Sequence, residues 1–247
     1  MLYVVIAVIV FVLSGVLAMA GLGAAFLFVP IFYWLGIPLG VASSTALLLN
    51  VVSLGFASAV YWRAHLVNLR FGIPITIAAV ALAPLGASAA PHVSTRILLA
   101  ILAAFLVFAG SMMLFYRPRA GVRSRGRPTE VAIGSGVGGV AGFLGGLLGV
   151  GGGNVILPAL SGAGLEAKVV AGTTGFAVVF SSLSGFLGRI SMGGVNGLLL
   201  GVSVTATAAG SLVGSRLMTS RLSSLQLKRL IAVVLWAVAV KIIWGLV

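Results

Sequence analysis

A cluster of glycines within an apolar stretch is the sequence feature that most constrains how this chain can fold. Residues 144–158 read LGGLLGVGGGNVILP, with Gly149, Gly151, Gly152 and Gly153 between two apolar runs. Each glycine in a helix costs roughly 1 kcal/mol relative to alanine, so the cluster predicts a broken helix. In a membrane, broken backbone is tolerated only where it is buried in protein or lines a cavity. The helix end exposed by such a break carries N–H groups that attract anions, so the stretch predicts half of a transport site.

The composition places this stretch in a membrane. Of the 247 residues, 61% are hydrophobic and 7% are charged, and the mean hydropathy is +1.27. A soluble domain carries about 25% charged residues, so the chain is predicted to be a polytopic membrane protein. Lys and Arg outnumber Asp and Glu by 15 to 2, but these cations lie between long apolar runs. They therefore indicate anionic lipid headgroups, and not nucleic acid, as partners.

The two acidic residues, Glu130 and Glu166, fall outside the predicted spans. Cation pumps and proton-coupled carriers usually need a carboxylate within the membrane, so this pattern favours an anion handled by backbone, hydroxyl and amide groups. The chain has no cysteine, and the sequence contains no catalytic constellation. We therefore expect a protein that is not an enzyme and uses no metal and no cofactor.

Apolar segments of about 20 residues predict the membrane spans. Eight such segments are present, which we place at residues 2–20, 42–62, 71–90, 97–116, 131–150, 169–188 and 194–213, and in a last one that ends at residue 247. An arginine-rich linker at residues 117–129 separates a first transmembrane repeat, residues 1–116, from a second, residues 130–247. The predicted fold is an all-α integral membrane protein of eight transmembrane helices, built from two tandem four-helix repeats that each have a Gly-broken helix near the start.

The two halves superimpose with a shift of 128 residues and no gap. Polar and backbone-breaking residues recur at identical spacings, which is typical of a transporter whose site lies between two repeats. If each half crosses the membrane four times, both halves point the same way, whereas inverted repeats need an odd number of crossings. The matched pairs are Gly21/Gly149, Gly23/Gly151, Pro30/Pro158, Thr45/Thr173 and Ser53/Ser181.

The glycines admit two interpretations. The triplet Gly151–Gly153, followed by Asn154, is interpreted as an anion cradle, because its backbone N–H groups can approach a ligand with no Cβ in the way. By contrast, Gly134, Gly138, Gly142 and Gly146 recur every fourth residue, a pattern that we assign to helix packing. The first half has a plainer copy of the cradle in Gly21 and Gly23. Pro30 and Pro158 are predicted to be structural helix-break residues, and the apolar run that follows the second glycine cluster is predicted to end at Pro158.

Hydroxyl side chains in the second helix of each repeat are further candidates for the site. Such groups could replace the hydration of an oxyanion, and they could equally bond their own backbone or a neighbouring helix. We retain both interpretations for Thr45, Ser53, Thr173, Thr174 and Ser181. Arg63 and Arg189 end the same helices, and anchoring at lipid headgroups is favoured over a role in drawing anions to a pathway.

The duplicated motif resembles the TauE/SafE family of membrane permeases, the sulfite exporter family. It reads GLLGVGGGNVILP followed by VVAGTT in the second half, and AGLGAAFLFVP followed by VASSTA in the first. The resemblance implies a multi-pass protein of the cytoplasmic membrane that moves sulfite or organosulfonates, commonly outward. It implies that the motif residues Gly149, Gly151, Gly152, Gly153 and Pro158 form the stronger half-site, with Gly21, Gly23 and Pro30 as the weaker copy.

The expected partners are a small anionic substrate and membrane lipids, with assembly into homo-oligomers left open. A passive anion channel is one alternative to a transporter, and a non-transporting membrane scaffold is another. The arginine-rich linker favours cytoplasmic termini.

Overall fold

The protein is a bundle of helices that includes two short ones. A computed structural model describes residues 2–19, 21–115, 126–189, 197–220 and 224–245, and every regular element within these ranges is helical. The helices are α1 (Leu2–Met19), α2 (Ala25–Trp34), α3 (Leu39–Arg63), α4 (Leu69–Ala89), α5 (Thr95–Phe115), α6 (Arg127–Leu148), α7 (Gly153–Gly162), α8 (Ala167–Leu187), α9 (Gly197–Ser220) and α10 (Ser224–Trp244), with a 3-10 turn at Ala90–His92. The predicted linker lies outside the described residues except at its end, where α6 begins.

Each predicted apolar segment overlaps one long helix, but the predicted count of eight spans is not confirmed. In the part of the chain that the structure describes, five helices, α3, α4, α5, α6 and α8, are long and apolar enough to cross a membrane. Shorter apolar stretches lie in α1, α2 and α10. The short helices α2 and α7 have 10 residues each and follow the glycine-rich segments. The prediction had treated each of them as the continuation of the helix before it.

The helices of the two halves follow one another in the same order. The short helices occupy residues 25–34 and 153–162, which is a shift of 128 at both ends. Side-chain environments repeat at the same shift: a Cβ on Gly86 would lie 2.0 Å from the carbonyl oxygen of Phe143, and one on Gly214 would lie 2.0 Å from that of Gly15. Helices α1 to α5 therefore correspond, position by position, to α6 to α10.

The corresponding helices α3 and α8 run in opposite directions. Asn50 Nδ2 in α3 donates to Ser182 Oγ in α8 at 2.9 Å, and a Cβ on Gly175 would lie 3.4 Å from Ser58 Oγ. Residue numbers thus rise along α3 as they fall along α8. Because equivalent helices point in opposite directions, the expectation that both halves point the same way is wrong.

The reason is that the chain doubles back at each glycine-rich segment. The Ala18 carbonyl at the end of α1 accepts a hydrogen bond from Tyr61, near the end of α3, whereas Ala25 at the start of α2 lies beside Asn50, near the middle of α3. The chain therefore returns halfway along α3 before α2 begins. Each half then contains five segments instead of four, and an odd number reverses the second half relative to the first.

The glycines that recur every fourth residue in α6 pack against α4, as predicted. A Cβ on Gly138 would lie 2.3 Å from the carbonyl oxygen of Ile75, one on Gly142 would lie 2.3 Å from that of Ala79, and one on Gly146 would lie 2.0 Å from that of Ala83. The backbones approach too closely for any larger residue. This ridge holds α6 closely against α4.

Candidate functional site

Two glycine-rich breaks form the centre of the candidate site. The first break, residues 21–24, joins α1 to α2, and the second break, residues 149–152, joins α6 to α7. Positive φ values occur at Gly21 (+67°) and Gly23 (+71°), and in the second break at Gly149 (+76°), Gly151 (+77°) and Gly152 (+75°). The left-handed conformation costs other residues roughly 1–2 kcal/mol each. The glycines are therefore required by the backbone path of both breaks.

The two breaks touch each other inside the protein. A Cβ on Gly153, the first residue of α7, would lie 2.9 Å from the carbonyl oxygen of Leu22 in the first break. The side chain of Asn50 in α3, which is fully buried, lies at the same junction. Its Oδ1 accepts from the N–H of Ala25 at 3.5 Å, and a Cβ on Gly151 would lie 2.5 Å from its Nδ2. One amide side chain thus contacts both breaks.

The first N–H groups of α7 lack the hydrogen-bond acceptor that the first N–H group of α2 has. The N–H groups of Gly153 and Asn154 donate to no acceptor among the described residues, as is usual for the first turn of a helix. In α2 the equivalent first N–H faces Asn50, but the residue that corresponds to Asn50 in the second half is Val178, which has no acceptor to offer. The Asn154 side chain is 3% exposed, and its Oδ1 has no hydrogen-bond partner in the described structure.

The five predicted hydroxyl residues fall into three groups by their hydrogen bonds. Ser181 Oγ donates to the carbonyl oxygen of Gly151 at 3.0 Å and so lies at the second break. Thr45 Oγ1 donates to Val41 in its own helix. Thr173 Oγ1 accepts from the backbone N–H of Asn68. The hydroxyls of both threonines are therefore hydrogen-bonded to backbone groups.

Two further hydroxyls, Ser53 Oγ and Thr174 Oγ1, are buried without a partner in the described structure. Asn50 in α3 is a polar residue at the junction that is not among the predicted site residues. Only the structure brings it to the junction, where Ser182 is its partner. The signal in the sequence was that Asn50 is an amide in the interior of an apolar span.

The two prolines do not end the helices that contain them. Pro30 lies inside α2, which continues to Trp34, and Pro158 lies inside α7, which continues to Gly162. Each is the sixth residue of its helix, so it leaves only one backbone carbonyl of the first turns without its usual N–H partner. The helix breaks lie at the glycines, so the prediction that Pro30 and Pro158 are helix-break residues is wrong, as is the prediction that the second apolar run ends at Pro158.

Arg189 is buried, contrary to the prediction that it anchors at lipid headgroups. It is 3% exposed, and its Nη2 donates to the carbonyl oxygens of Gly146 and Leu147 at 2.6 and 2.7 Å. These carbonyls end α6 immediately before the second break, and a cation is favourable at such a helix end. Burial lowers the pKa of Arg189 to about 10, so the guanidinium remains charged at neutral pH.

Tyr61 occupies the corresponding position in the first half. Its hydroxyl donates to the carbonyl oxygen of Ala18 at 2.5 Å, and Ala18 corresponds to Gly146 at the 128-residue shift. A phenol and a guanidinium therefore perform the same capping role in the two halves. The difference is that only the second half acquires a positive charge there. Arg63, by contrast, is exposed, as headgroup anchoring requires.

A cavity of about 430 Å³ lies next to Arg189. We call it the vestibule. Its described lining comes from the start of α3, the turn before α5 and the first turn of α5, and Arg189 is the charged residue in this set. The lining residues are Pro38, Leu39, Gly40, Val41, Ser43, Ala90, Pro91, Val93, Thr95, Leu98 and Arg189.

A narrow apolar gap continues the vestibule inward. It has a volume of about 10 Å³ and shares Leu39, Ser43 and Leu98 with the vestibule. We call it the leucine constriction, and its other lining residues are Val29, Leu99, Leu102, Leu147 and Leu148. No cluster of three metal-ligating side chains occurs in the ranges described above.

Comparison with known proteins identifies relatives of the chain. A family model described as sulfite exporter TauE/SafE matches residues 6–242. The Arabidopsis thaliana protein "Sulfite exporter TauE/SafE family protein 6" is 45% identical over 69 residues, and "Sulfite exporter TauE/SafE family protein 1" from the same plant is 44% identical over 70 residues. Each alignment covers 28% of this chain and 14% of the relative. No solved structure matches the chain.

Proposed function

The chain belongs to the sulfite exporter TauE/SafE family, and from this premise we propose that it transports small anions, with sulfite or organosulfonates as substrates. It is a multi-pass membrane protein, and we assign it to the cytoplasmic membrane. The observation that carries the proposal is the junction of the two glycine-rich breaks in the protein interior. Discontinuous helices that meet in this way are the usual setting of a substrate site in secondary transporters.

The proposed binding groups are neutral hydrogen-bond donors at the second break. The N–H groups of Gly153 and Asn154 point from the positive end of α7, and the Asn154 amide adds a side-chain donor. Gly149, Gly151 and Gly152 allow the backbone to reach this position, and Ser181 holds the Gly151 carbonyl away from it. Gly21 and Gly23 shape the opposite wall.

The buried hydroxyls of Ser53 and Thr174 lack a partner in the described structure, and we propose them as candidate additional donors on α3 and α8. The hydroxyls of Thr45 and Thr173 already bond backbone groups, so we give them a structural role in holding α3 and α8. Hydroxyl and amide donors suit an oxyanion, which accepts several hydrogen bonds and needs no proton from the protein.

We further propose that the two halves are inverted repeats of five segments each. The end of α6 lies at Ser43 near the start of α3, so the start of α6 lies at the opposite end of the bundle. Lys241, near the end of α10, lies over the ring of Trp34 at the end of α2, at 4.3 Å. The start of α1 and the end of α10 are then on one side of the membrane, and the start of α6 is on the other. This arrangement reverses the expectation that the arginine-rich linker lies on the same side as the termini, so the linker no longer favours cytoplasmic termini. Reporter fusions at residue 247 and within residues 117–125 should report opposite sides.

Transport is tested with purified protein in proteoliposomes. We expect saturable uptake of sulfite or an organosulfonate, accelerated by the same anion inside the vesicle, and weaker competition by carboxylates. Steady single-channel currents without such counterflow would indicate a passive channel. Absence of any flux, together with loss of the cellular phenotype when the linker is deleted, would indicate a scaffold.

The choice of variant matters for this test. A Cβ on Gly152 would lie 2.2 Å from the backbone carbonyl of Ala141, so substitution there disturbs folding before it disturbs binding. Asn154 is the better probe because its side-chain oxygen has no protein partner to lose.

A further inference from the structure

The vestibule is a feature that the proposed site at the breaks does not use. Its volume of about 430 Å³ is many times the roughly 10–15 Å³ that one water molecule needs, so it can hold a hydrated small anion. The lining is formed by residues at the beginnings of α3 and α5, where backbone N–H groups point outward from the helix. The buried guanidinium of Arg189 completes the wall. These groups give the cavity a positive potential without any neighbouring carboxylate in the described lining.

Ser43 connects the wall of the vestibule to the second break. Ser43 lines the vestibule and donates from Oγ to the carbonyl oxygen of Leu148 at 3.4 Å. A Cβ on Gly149 would lie 2.4 Å from Ser43 Cβ, so the cavity wall and the second break are in direct contact. The vestibule therefore ends where the backbone of α6 turns into the break.

The leucine constriction closes this connection in the present conformation. Its volume of about 10 Å³ is at the lower limit for one water molecule, which needs about 10–15 Å³. Its walls are leucine and valine side chains from α2, α3, α5 and α6, with Ser43 as the one polar member of the described lining. An apolar passage this narrow excludes a hydrated ion, as hydrophobic gates do in channels.

We propose that the vestibule is the anion entrance to the second break, in which Arg189 attracts the anion and the leucine constriction is the closed gate. The chemical class of ligand is a small oxyanion such as sulfate or sulfite. The biological meaning rests on the proposed transport function, but the binding step is testable without any flux. Arg189 is a positioning and attracting residue in this proposal, since its N–H groups also cap α6.

The test uses single cysteines, because the chain has none of its own. Thr95 is exposed and lines the vestibule, so T95C places a thiol inside it. Ser88 is exposed near the end of α4 and outside the vestibule lining, so S88C is the matched control. In neutral detergent, each purified variant is reacted with an anionic and a cationic methanethiosulfonate of similar size, and the ratio of the two rates is measured.

At T95C we expect the ratio to favour the anionic reagent. R189Q should reduce this ratio by about tenfold or more, because the loss of one positive charge slows the anionic reagent and speeds the cationic one. R189K keeps the charge and should keep the ratio, while R189Q should leave the ratio at S88C unchanged. If Arg189 only caps α6, R189Q should lower the melting temperature and leave the ratio of the two rates at T95C unchanged. That outcome would overturn the proposal.

A second measurement does not depend on the folding of an Arg189 variant. With Arg189 intact, sulfate should slow the reaction of T95C with neutral N-ethylmaleimide at constant ionic strength, and it should leave S88C unaffected. Equal rates with and without sulfate would contradict an anion site here. If sulfate protects T95C but proteoliposomes show no flux, the anion site in the vestibule is supported and the proposed transport function is contradicted. If flux is normal and sulfate does not protect T95C, the transport function is supported and the anion site in the vestibule is contradicted.

Discussion

Replacement of Asn154 by leucine should make the protein more stable and a poorer anion binder. The Asn154 side chain is 3% exposed, and its Oδ1 has no partner in the described structure. A buried acceptor without a hydrogen bond costs about 1–3 kcal/mol, and an apolar side chain of similar shape removes that cost. We therefore expect N154L to raise the free energy of unfolding by about 1 kcal/mol. For a chain of this size, the melting temperature should rise by about 2–4 °C.

The same substitution removes one donor from the proposed anion site. A hydrogen bond to a charged group contributes about 1.5–3 kcal/mol, and each 1.4 kcal/mol changes an equilibrium constant about tenfold. The dissociation constant for the anion should therefore rise by about 10- to 100-fold. Thermal unfolding in detergent, with and without sulfite, gives both quantities from one protein preparation, and proteoliposome uptake gives KM.

The control for this prediction is S203A. Ser203 in α9 also carries a buried hydroxyl that lacks a partner in the described structure, but it lies outside both breaks. Its removal should leave the anion affinity unchanged and the stability unchanged or slightly higher. If N154L lowers the melting temperature by several degrees and retains wild-type affinity, Asn154 is a packing residue and the reasoning about the second break is refuted.

Three further predictions follow from the packing of α6 and from the two caps. Gly142→Ala should lower the free energy of unfolding by about 1–3 kcal/mol, because the added Cβ would lie 2.3 Å from the backbone oxygen of Ala79. Gly136 has open space around it, so Gly136→Ala should raise the free energy of unfolding by about 0.5–1 kcal/mol in the same thermal assay. Tyr61→Phe should cost about 1–3 kcal/mol of stability by leaving a buried carbonyl unpaired, with KM unchanged; a raised KM would contradict a purely capping role. Because the pKa of Arg189 is lowered to about 10, its guanidinium is charged below that pH, so sulfate protection at T95C should stay constant from pH 6 to about 9 and decline as the pH passes 10.

The sequence predicted the helices and the breaks because both depend on local chemistry. Apolar runs of sufficient length form helices in a membrane, and consecutive glycines at residues 151–153 cannot sustain one. The packing role of Gly142 was also predictable, since a four-residue spacing places small residues on one face of a helix. The length of an apolar run, however, predicts that a helix follows the break, but it does not predict the direction of that helix relative to the one before it. For that reason the reversal between α1 and α2, and with it the inverted arrangement, was missed.

The position of Arg189 was unpredictable for a different reason. A cation at the end of an apolar segment ordinarily reaches the headgroups, and its actual partner, Gly146, is 43 residues away in the chain. The available signal was the internal repeat, which aligns Arg189 with Tyr61. A polar side chain at both equivalent positions indicates a common structural task, and here that task is to bind the last carbonyls of the helix before each break.

The two halves share their backbone geometry but differ in the chemistry placed on it. A neutral phenol is sufficient to cap α1, so a charge is not needed for the capping role, and burying a guanidinium costs more than burying a phenol. Conversely, Asn50 provides an acceptor at the start of α2, while Val178 leaves the start of α7 without one. Both differences make the second break the more attractive place for an anion, one by adding a positive charge and the other by withholding a competing oxygen. If the roles were exchanged by combining N50V with V178N, anion affinity should move from the N–H groups of α7 towards those of α2, and the sensitivity of binding to substitution at Asn154 should fall.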